Sequence, residues 1–191
     1  MRNLLLILLS VIGMGLTTAT YAQQKQAMNN KQSNHKVLVT YFSATGTTAR
    51  AAEKLADVTG GELYAITPAK PYTSADLNWN NKQSRSSVEM HDAKARPELG
   101  GKKLDVAGYD IIFIGYPIWW NLAPRIVNTF IEKYDLKGKV VIPFATSGGS
   151  SITNSAAVLK KSYPALNWKE GQLLNRADEN TIRKWIDKLN Y

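Results

Sequence analysis

The chain has 191 residues, with 24 basic and 15 acidic side chains, so its formal net charge at pH 7 is +9. It has no cysteine, which excludes a disulfide framework and a thiolate metal site. A basic protein can attract nucleic acid, but no basic run here is interleaved with aromatic residues as a base-stacking surface requires. We therefore expect no nucleic-acid partner.

The first 22 residues have the features of a secretory signal peptide. Arg2 precedes a short apolar core that ends near Leu16, and Thr20-Tyr21-Ala22 is similar to a cleavage site. The apolar core is too short for a comfortable membrane span. We expect cleavage after Ala22, export to the periplasm or cell envelope, and no stable membrane span after cleavage, with an uncleaved membrane anchor as the alternative.

Residues 23–35 are polar, rich in Asn, Gln and Lys, and show no periodicity, which predicts a flexible tether. The folded domain is predicted to cover residues 36–191. Its first strand is the apolar run 37–42, and a helix with apolar residues at steps of three and four follows, ending at Gly60-Gly61.

The loop between that strand and that helix is rich in hydroxyl groups. Its candidate anion-binding residues are Ser43, Thr45, Gly46, Thr47 and Thr48. Hydroxyl and backbone N–H donors at a helix N-terminus suit a phosphate, and the loop lacks both the P-loop lysine and the three spaced glycines of a dinucleotide site. A terminal monophosphate fits best. The alternative is that these residues only cap the helix and form turns.

A second strand at residues 62–66 is followed by a long polar segment. We call residues 67–101 the excursion; its sequence indicates at most a weak helix at residues 74–80 or 86–95. Loops of this length are usually functional or disordered. His91 lies within it and is either solvated or facing a ligand. No further histidine or carboxylate falls at metal-ligand spacing, so we expect no metal site.

The rest of the chain alternates strand and helix. Strands are predicted at residues 110–115, 139–144 and 168–174, and helices at 124–134, 152–162 and 178–190. This alternation predicts an α/β fold, a doubly wound parallel sheet of about five strands with helices on both faces.

Ligands of such sheets bind beyond the carboxyl ends of the strands, where two further unusual loops fall. The loop after the third strand contains Pro117, Ile118, Trp119, Trp120 and Asn121. The loop after the fourth contains Thr146, Ser147, Gly148 and Gly149. Anion donors, flat aromatic rings and bare glycine backbone together suit a planar heterocycle that carries one phosphate.

These three loops resemble those of the flavodoxin family, in which the phosphate loop has the form [ST]-x-T-G-x-T. The resemblance covers about residues 36–191 and is greatest to exported or bacterial flavodoxin-like proteins. It implies a three-layer α/β/α fold with strand order 2-1-3-4-5 and FMN as cofactor. It places the phosphate on the first loop and the flavin ring on the other two. The flavin carries the chemistry, so no side chain is expected to be catalytic.

We expect one of Trp119 and Trp120 to cover a flavin face and the other to pack in the core, because consecutive strand-end side chains point to opposite sides. The third loop departs from the family in lacking an aromatic residue, and Ser147 is either a flavin contact or only a turn residue.

The resemblance implies a redox protein that transfers electrons in the cell envelope to a partner protein or a small-molecule acceptor. One alternative is an NAD(P)H-dependent quinone-type reductase that uses bound FMN and the excursion as a lid. A second is a flavodoxin-like binding module without flavin. A homodimer is also possible.

Overall fold

The computed structural model describes residues 35–189, so the predicted signal peptide and nearly all of the predicted tether lie outside the described residues. Among residues 35–189, no helix is both long and apolar enough to cross a membrane.

Strands and helices alternate along most of the described chain. The strands are β1 (Val37–Tyr41), β2 (Glu62–Ala65), β3 (Ile111–Pro117), β4 (Val140–Thr146), β5 (Asn167–Trp168) and β6 (Gln172–Leu173). The helices are α1 (Thr47–Thr59), α2 (Arg85–His91), α3 (Arg125–Lys133), α4 (Thr153–Ser162) and α5 (Glu179–Leu189). Helix α1 ends where the sequence indicates, at Gly60, whose φ of 66° is the left-handed conformation that glycine adopts without strain.

The sheet is parallel, with strands in the order β2-β1-β3-β4-β5, and β6 also pairs with β4. The predicted order 2-1-3-4-5 is confirmed. Strand β1 lies between β2 and β3, with Leu38 opposite both Glu62 and Ile112. Because β1 and β3 are adjacent and their connections run to opposite sides, their carboxyl ends form the switch point at which ligands bind.

The fifth position of the sheet holds two short strands instead of the single strand predicted at residues 168–174. The carbonyls of Val141 and Ala145 on β4 accept hydrogen bonds from the N–H groups of Lys169 and Leu174. Pro143 lies between these two positions and has no N–H to donate to this side of the sheet. A Cβ on Gly171 would lie 2.7 Å from the Pro143 carbonyl oxygen, so the backbone passes too close for a side chain.

Two apolar layers hold helices against the sheet. On one face, Ile112 and Ile114 of β3 pack with α3 through residues that include Phe130. On the other face, Ile111 and Phe113 pack with α1 and α5. Alternate side chains of β3 thus pack on opposite faces of the sheet, as a strand covered on both sides requires. The result is the predicted three-layer α/β/α arrangement.

The excursion is folded and its two ends meet. Pro68 and Leu99 form an antiparallel bridge, and the Ala69 N–H donates to the Glu98 carbonyl over 2.8 Å. Of the two weak helices that the sequence indicates, the one near residues 86–95 is present as α2, which is shorter and begins one residue earlier. Residues 74–80 form turns instead.

Candidate functional site

A cavity of about 760 Å³ opens at the carboxyl ends of β1, β3 and β4. This volume lies in the range of about 300–1,000 Å³ that small-molecule sites occupy. All three predicted loops line it. The predicted site residues on its wall are Thr45, Thr47, Thr48, Pro117, Ile118, Trp119, Trp120, Thr146, Ser147 and Gly148.

The other four predicted residues, Ser43, Gly46, Asn121 and Gly149, belong to the same three loops but do not line the cavity. The Ser43 Oγ accepts a hydrogen bond from the Gly46 N–H over 3.1 Å. The Gly149 N–H donates to the Ser147 Oγ over 3.2 Å. Asn121 belongs to a tight turn that presents the two tryptophans.

In the part of the chain that the structure describes, the backbone donors at the N-terminus of α1 have no partner. Gly46 is the N-cap, with φ of 85°, and no side chain caps the helix. The first hydrogen bond runs from the Arg50 N–H to the Gly46 carbonyl over 3.1 Å, which leaves the N–H groups of residues 47–49 without an intrahelical acceptor. Helices α2 and α5 differ, because Ser84 and Asp178 accept N–H groups of their first turns.

The charge around the first loop is positive. The first turn of α1 contains no acidic residue, and the Arg50 Nη2 lies 3.4 Å from the Thr47 Oγ1. A cation at a helix N-terminus opposes the helix dipole, so its presence beside three free N–H groups costs stability unless an anion binds. The sequence analysis did not single out Arg50.

A hydroxyl pair joins the first and third loops. The Oγ1 atoms of Thr48 and Thr146 are 2.8 Å apart, and the two residues are only 1% and 3% exposed. One hydrogen bond between two hydroxyls uses one of their two hydrogens. The second hydrogen is available for another acceptor, at a point where the phosphate loop meets the end of β4.

The tryptophan loop contains a tight turn from Trp119 to Leu122. The backbone N–H groups of these two residues donate to each other's carbonyls over 3.0 and 2.9 Å. The central residues, Trp120 and Asn121, have φ of 47° and 61°, as a type I′ turn requires. The Asn154 Nδ2 donates to the Asn121 carbonyl over 2.9 Å and fixes the turn to α4.

The sequence predicts that the two tryptophans point to opposite sides because they end a strand. That reason is wrong, because Trp119 and Trp120 lie in a tight turn and not in a strand. The Trp119 ring packs edge-on against Phe42 and Tyr72, with ring centroids 5.5 and 5.4 Å apart. Trp120 is 39% exposed, and its ring lies 6.0 Å from that of His91. Both tryptophans line the cavity, and which of them would cover a flavin face stays a prediction. Left-handed φ is uncommon for a bulky residue such as Trp120 and is typical of functional sites.

The excursion holds Tyr72 in position behind Trp119. The Tyr72 hydroxyl donates to the Oε2 of Glu89. The other carboxylate oxygen of Glu89, Oε1, accepts a hydrogen bond from the Arg85 Nε over 2.7 Å. The Arg85 guanidinium lies 3.9 Å from the centre of the Tyr72 ring. Burial, followed by the nearby carboxylate of Glu89, raises the pKa of Tyr72 well above its usual range. Tyr72 therefore stays neutral at physiological pH and keeps its hydroxyl proton for the hydrogen bond to Glu89.

The third loop is fixed by Asn175. The Ser147 N–H donates to the Asn175 Oδ1 over 2.6 Å, and the Asn175 Nδ2 donates to the Ser147 carbonyl. The Ser147 Oγ accepts the Ser150 N–H over 2.8 Å. A Cβ on Gly148 or Gly149 would meet nothing within 4 Å. Protein packing alone therefore does not require glycine at these two positions.

Six cavity residues were not predicted, namely Ala44, Leu77, Trp79, Ser86, Asn175 and Arg176. Three of them belong to the excursion, whose length signals a function without saying which residues carry it. Asn175 and Arg176 lie two and three residues beyond the end of β6 and directly follow the strand predicted at residues 168–174, so the rule that sites lie beyond strand ends would have found them if it had been applied to this strand.

His91 packs beside this site, where its Nδ1 lies 2.7 Å from the Ser87 carbonyl oxygen. It is not on the cavity wall. In the part of the chain that the structure describes, no group of three or more His, Cys, Asp or Glu residues could hold a metal ion.

Residues 36–189 match the family model described as flavodoxin. The chain belongs to the flavodoxin family. No curated protein matches the chain. Among solved structures, a candidate flavoprotein from Bacteroides eggerthii is 70% identical, with a TM-score of 0.81, and the match covers 83% of this chain and 99% of that one.

Two further structures are similar to this flavodoxin. A candidate flavoprotein from Bacteroides uniformis is 59% identical, with a TM-score of 0.78 over 80% of this chain and 98% of that one. A flavoprotein from Lactobacillus acidophilus, solved in complex with FMN, is 21% identical, with a TM-score of 0.66 over 82% of this chain and 99% of that one. At this identity the last match supports the fold alone.

Proposed function

We propose that this flavodoxin binds FMN in the cavity and acts as a redox protein. The observation that carries the proposal is the uncapped N-terminus of α1 with its phosphate-type donors, which opens into the same cavity as two tryptophans. The Lactobacillus relative, whose structure contains FMN, has the same fold.

The residues present fit the two ends of FMN. Three free N–H groups and the exposed hydroxyls of Thr45 and Thr47 match a phosphate monoester, and Arg50 supplies a nearby positive charge. The tryptophan turn gives an aromatic surface on which a flat ring can stack. The open space at Gly148 lets the third loop approach a ring edge with its backbone.

When bound, FMN supplies electron or hydride transfer. The protein's part is to hold the ring and set the charge around it. Among the described residues that line the cavity, Arg176 is the only charged one, and none is acidic. This environment does not repel the negative charge that accumulates on reduction, so it favours the reduced cofactor.

We further propose that the protein works in the cell envelope. The support is the signal-peptide pattern of the first 22 residues. The electron acceptor in this setting is a redox protein or a small molecule, and the basic net charge favours an acidic protein partner.

A second candidate is the NAD(P)H-dependent quinone-type reductase. It is favoured by the excursion, because Leu77, Trp79 and Ser86 extend the cavity wall beyond the three loops. A pure carrier needs only an exposed ring edge, whereas an enzyme needs room for a second molecule. Steady turnover of NAD(P)H with a soluble quinone discriminates, since a pure carrier should show almost none.

FMN binding is tested with the mature chain, residues 23–191, incubated with FMN and freed of excess ligand. We expect retained flavin absorbance in the parent and weaker retention in Thr45→Ala. The matched control is Thr153→Ala, an exposed threonine at the start of α4, which should retain flavin like the parent. An absence of flavin in the parent would refute the proposal and favour the binding module without flavin.

A further inference from the structure

The excursion contributes a part of the cavity that the three cofactor loops do not use. Leu77, Trp79 and Ser86 line it, and they come from a segment between β2 and β3 whose ends are pinned together by the Pro68–Leu99 bridge. The cofactor contacts proposed above account for the first, second and third loops, but for none of these residues.

Trp79 is the most exposed large apolar side chain among the described residues, at 72%. Among these residues its indole makes no ring contact and no hydrogen bond. Its backbone is nevertheless held, because the Asn80 N–H donates to the Asn78 Oδ1 over 3.1 Å and the Asn81 N–H donates to the Asn78 carbonyl over 3.0 Å. Because the backbone of this turn is already held, stacking of a ligand on the ring has only the side chain left to immobilise.

The chemistry of this part of the cavity is neutral. Leu77 and Trp79 are apolar, and Ser86 is buried with its hydroxyl directed to Ser84. Arg176, the one charged residue among the described residues of the cavity wall, adjoins Asn175, which is hydrogen-bonded to the third loop. The excursion side therefore offers an aromatic face and an apolar surface without a charge partner. These features suit a flat, uncharged ring and do not suit a phosphate-bearing dinucleotide.

We propose that a neutral planar quinone binds on the excursion side of the cavity and stacks on Trp79. The inference rests on the proposed FMN function, which supplies the reductant. The quinone gains two electrons and one proton from the reduced cofactor and a second proton from solvent, and becomes a hydroquinone. The cofactor returns to its oxidised form. Trp79 orients the quinone and takes no part in the electron balance.

The experiment uses the mature chain loaded with FMN, reduced by dithionite without oxygen, and mixed rapidly with a soluble naphthoquinone. The reoxidation rate, followed by flavin absorbance, should saturate with quinone concentration. Trp79→Ala should raise the half-saturating concentration about tenfold, and Trp79→Phe should stay within about twofold of the parent, because a stacking partner is kept. Leu63→Ala, an exposed apolar residue on β2, is the control and should match the parent.

A second measurement does not depend on reduction. Titration of the oxidised, FMN-loaded protein with the quinone should perturb the flavin absorbance with a dissociation constant that Trp79→Ala weakens by the same factor. The dissociation constant of FMN should change less than about twofold in all three variants. Agreement of the two measurements supports a stacked quinone.

Three results would count against the inference. If reoxidation is linear in quinone concentration and equal in the parent and Trp79→Ala, no quinone site exists, while FMN binding stands. If Trp79→Ala weakens FMN binding tenfold and leaves the quinone constants unchanged, Trp79 contacts the cofactor instead. If the parent retains no FMN at all, the proposed function itself fails.

Discussion

The buried hydroxyl pair between Thr48 and Thr146 gives the sharpest test of how the phosphate loop is held. Each threonine is replaced by the isosteric valine, alone and together. A single replacement leaves the other hydroxyl buried without its partner, which costs about 1–3 kcal/mol. In Thr48→Val/Thr146→Val neither hydroxyl remains, so the double variant should lose less than the sum of the single losses, with a coupling of about 1 kcal/mol.

Two measurements separate stability from binding. Urea unfolding of the FMN-free chain gives the free energies of unfolding for the cycle. FMN titration of the same four proteins tests the hydroxyl hydrogen that the pair leaves free. If that hydrogen is donated to the phosphate, its loss in the double variant should weaken FMN binding about tenfold or more, since a hydrogen bond to a charged group contributes about 1.5–3 kcal/mol.

The matched comparison is Thr45→Ala, at an exposed hydroxyl on the same loop. It should weaken FMN binding and leave the stability of the FMN-free chain unchanged within about 0.5 kcal/mol. Strictly additive stability losses in the valine cycle would refute the coupling of the two hydroxyls. An unchanged FMN affinity in the double variant would refute their role at the phosphate.

Three further predictions concern packing, charge and the ring site. A Cβ on Gly115 would lie 2.1 Å from the fully buried Phe144 ring. Gly115→Ala should therefore lower the free energy of unfolding, measured in urea, by about 3 kcal/mol. The double variant Gly115→Ala/Phe144→Leu should recover part of this loss, and no recovery would mean that another contact is responsible. Hydrogen bonds from Arg96, and then from Tyr163, lower the pKa of Glu132 from its usual value of 4.5. The ionised carboxylate therefore stabilises the fold at pH values above 4.5, and this contribution is lost as the pH falls through the lowered pKa. Glu132→Gln should therefore be less stable than the parent at pH 7. The difference should be about 1 kcal/mol or less, because the Arg96–Glu132 pair is partly exposed. In thermal melts near pH 3 the difference should shrink, and a constant difference would contradict this reasoning. Gly148→Ala has open space for its methyl group, so it should keep its melting temperature while FMN binding weakens, and equal affinity would show that no ring approaches this backbone.

The sequence was sufficient for the alternation of strands and helices and for the three loops because both depend on local patterns, whereas the strand order came from the resemblance to the flavodoxin family. Apolar runs followed by turn residues mark strand ends, and parallel strands bring those ends to one edge of the sheet. The break between β5 and β6 depends on a contact between strands, where Pro143 faces the neighbour that it cannot bond. A single segment such as residues 168–174 does not reveal that contact.

The loop with the two tryptophans was predicted, but its turn geometry and the role of Trp79 were not, for different reasons. A type I′ turn is usually signalled by Asn-Gly or a similar pair. Here Trp120 and Asn121 adopt the left-handed conformation instead, and a hydrogen bond from Asn154 on α4 holds the turn in place. Trp79 lies in a polar segment without periodicity, so only the folded excursion places it on the cavity wall.

The meeting of the two ends of the excursion has a consequence for how this protein can change over evolution. Where the ends of a loop are fixed side by side, residues can be added to or removed from the loop at a small entropic cost. The exposed tip of the excursion around Trp79 can therefore be lengthened or shortened while Tyr72 keeps its contacts with Phe42 and Trp119 and the phosphate loop keeps its place. In the functions proposed above, the acceptor contacts the tip of the excursion and the phosphate contacts the first loop, so changes at the tip would alter the choice of acceptor without disturbing the phosphate site.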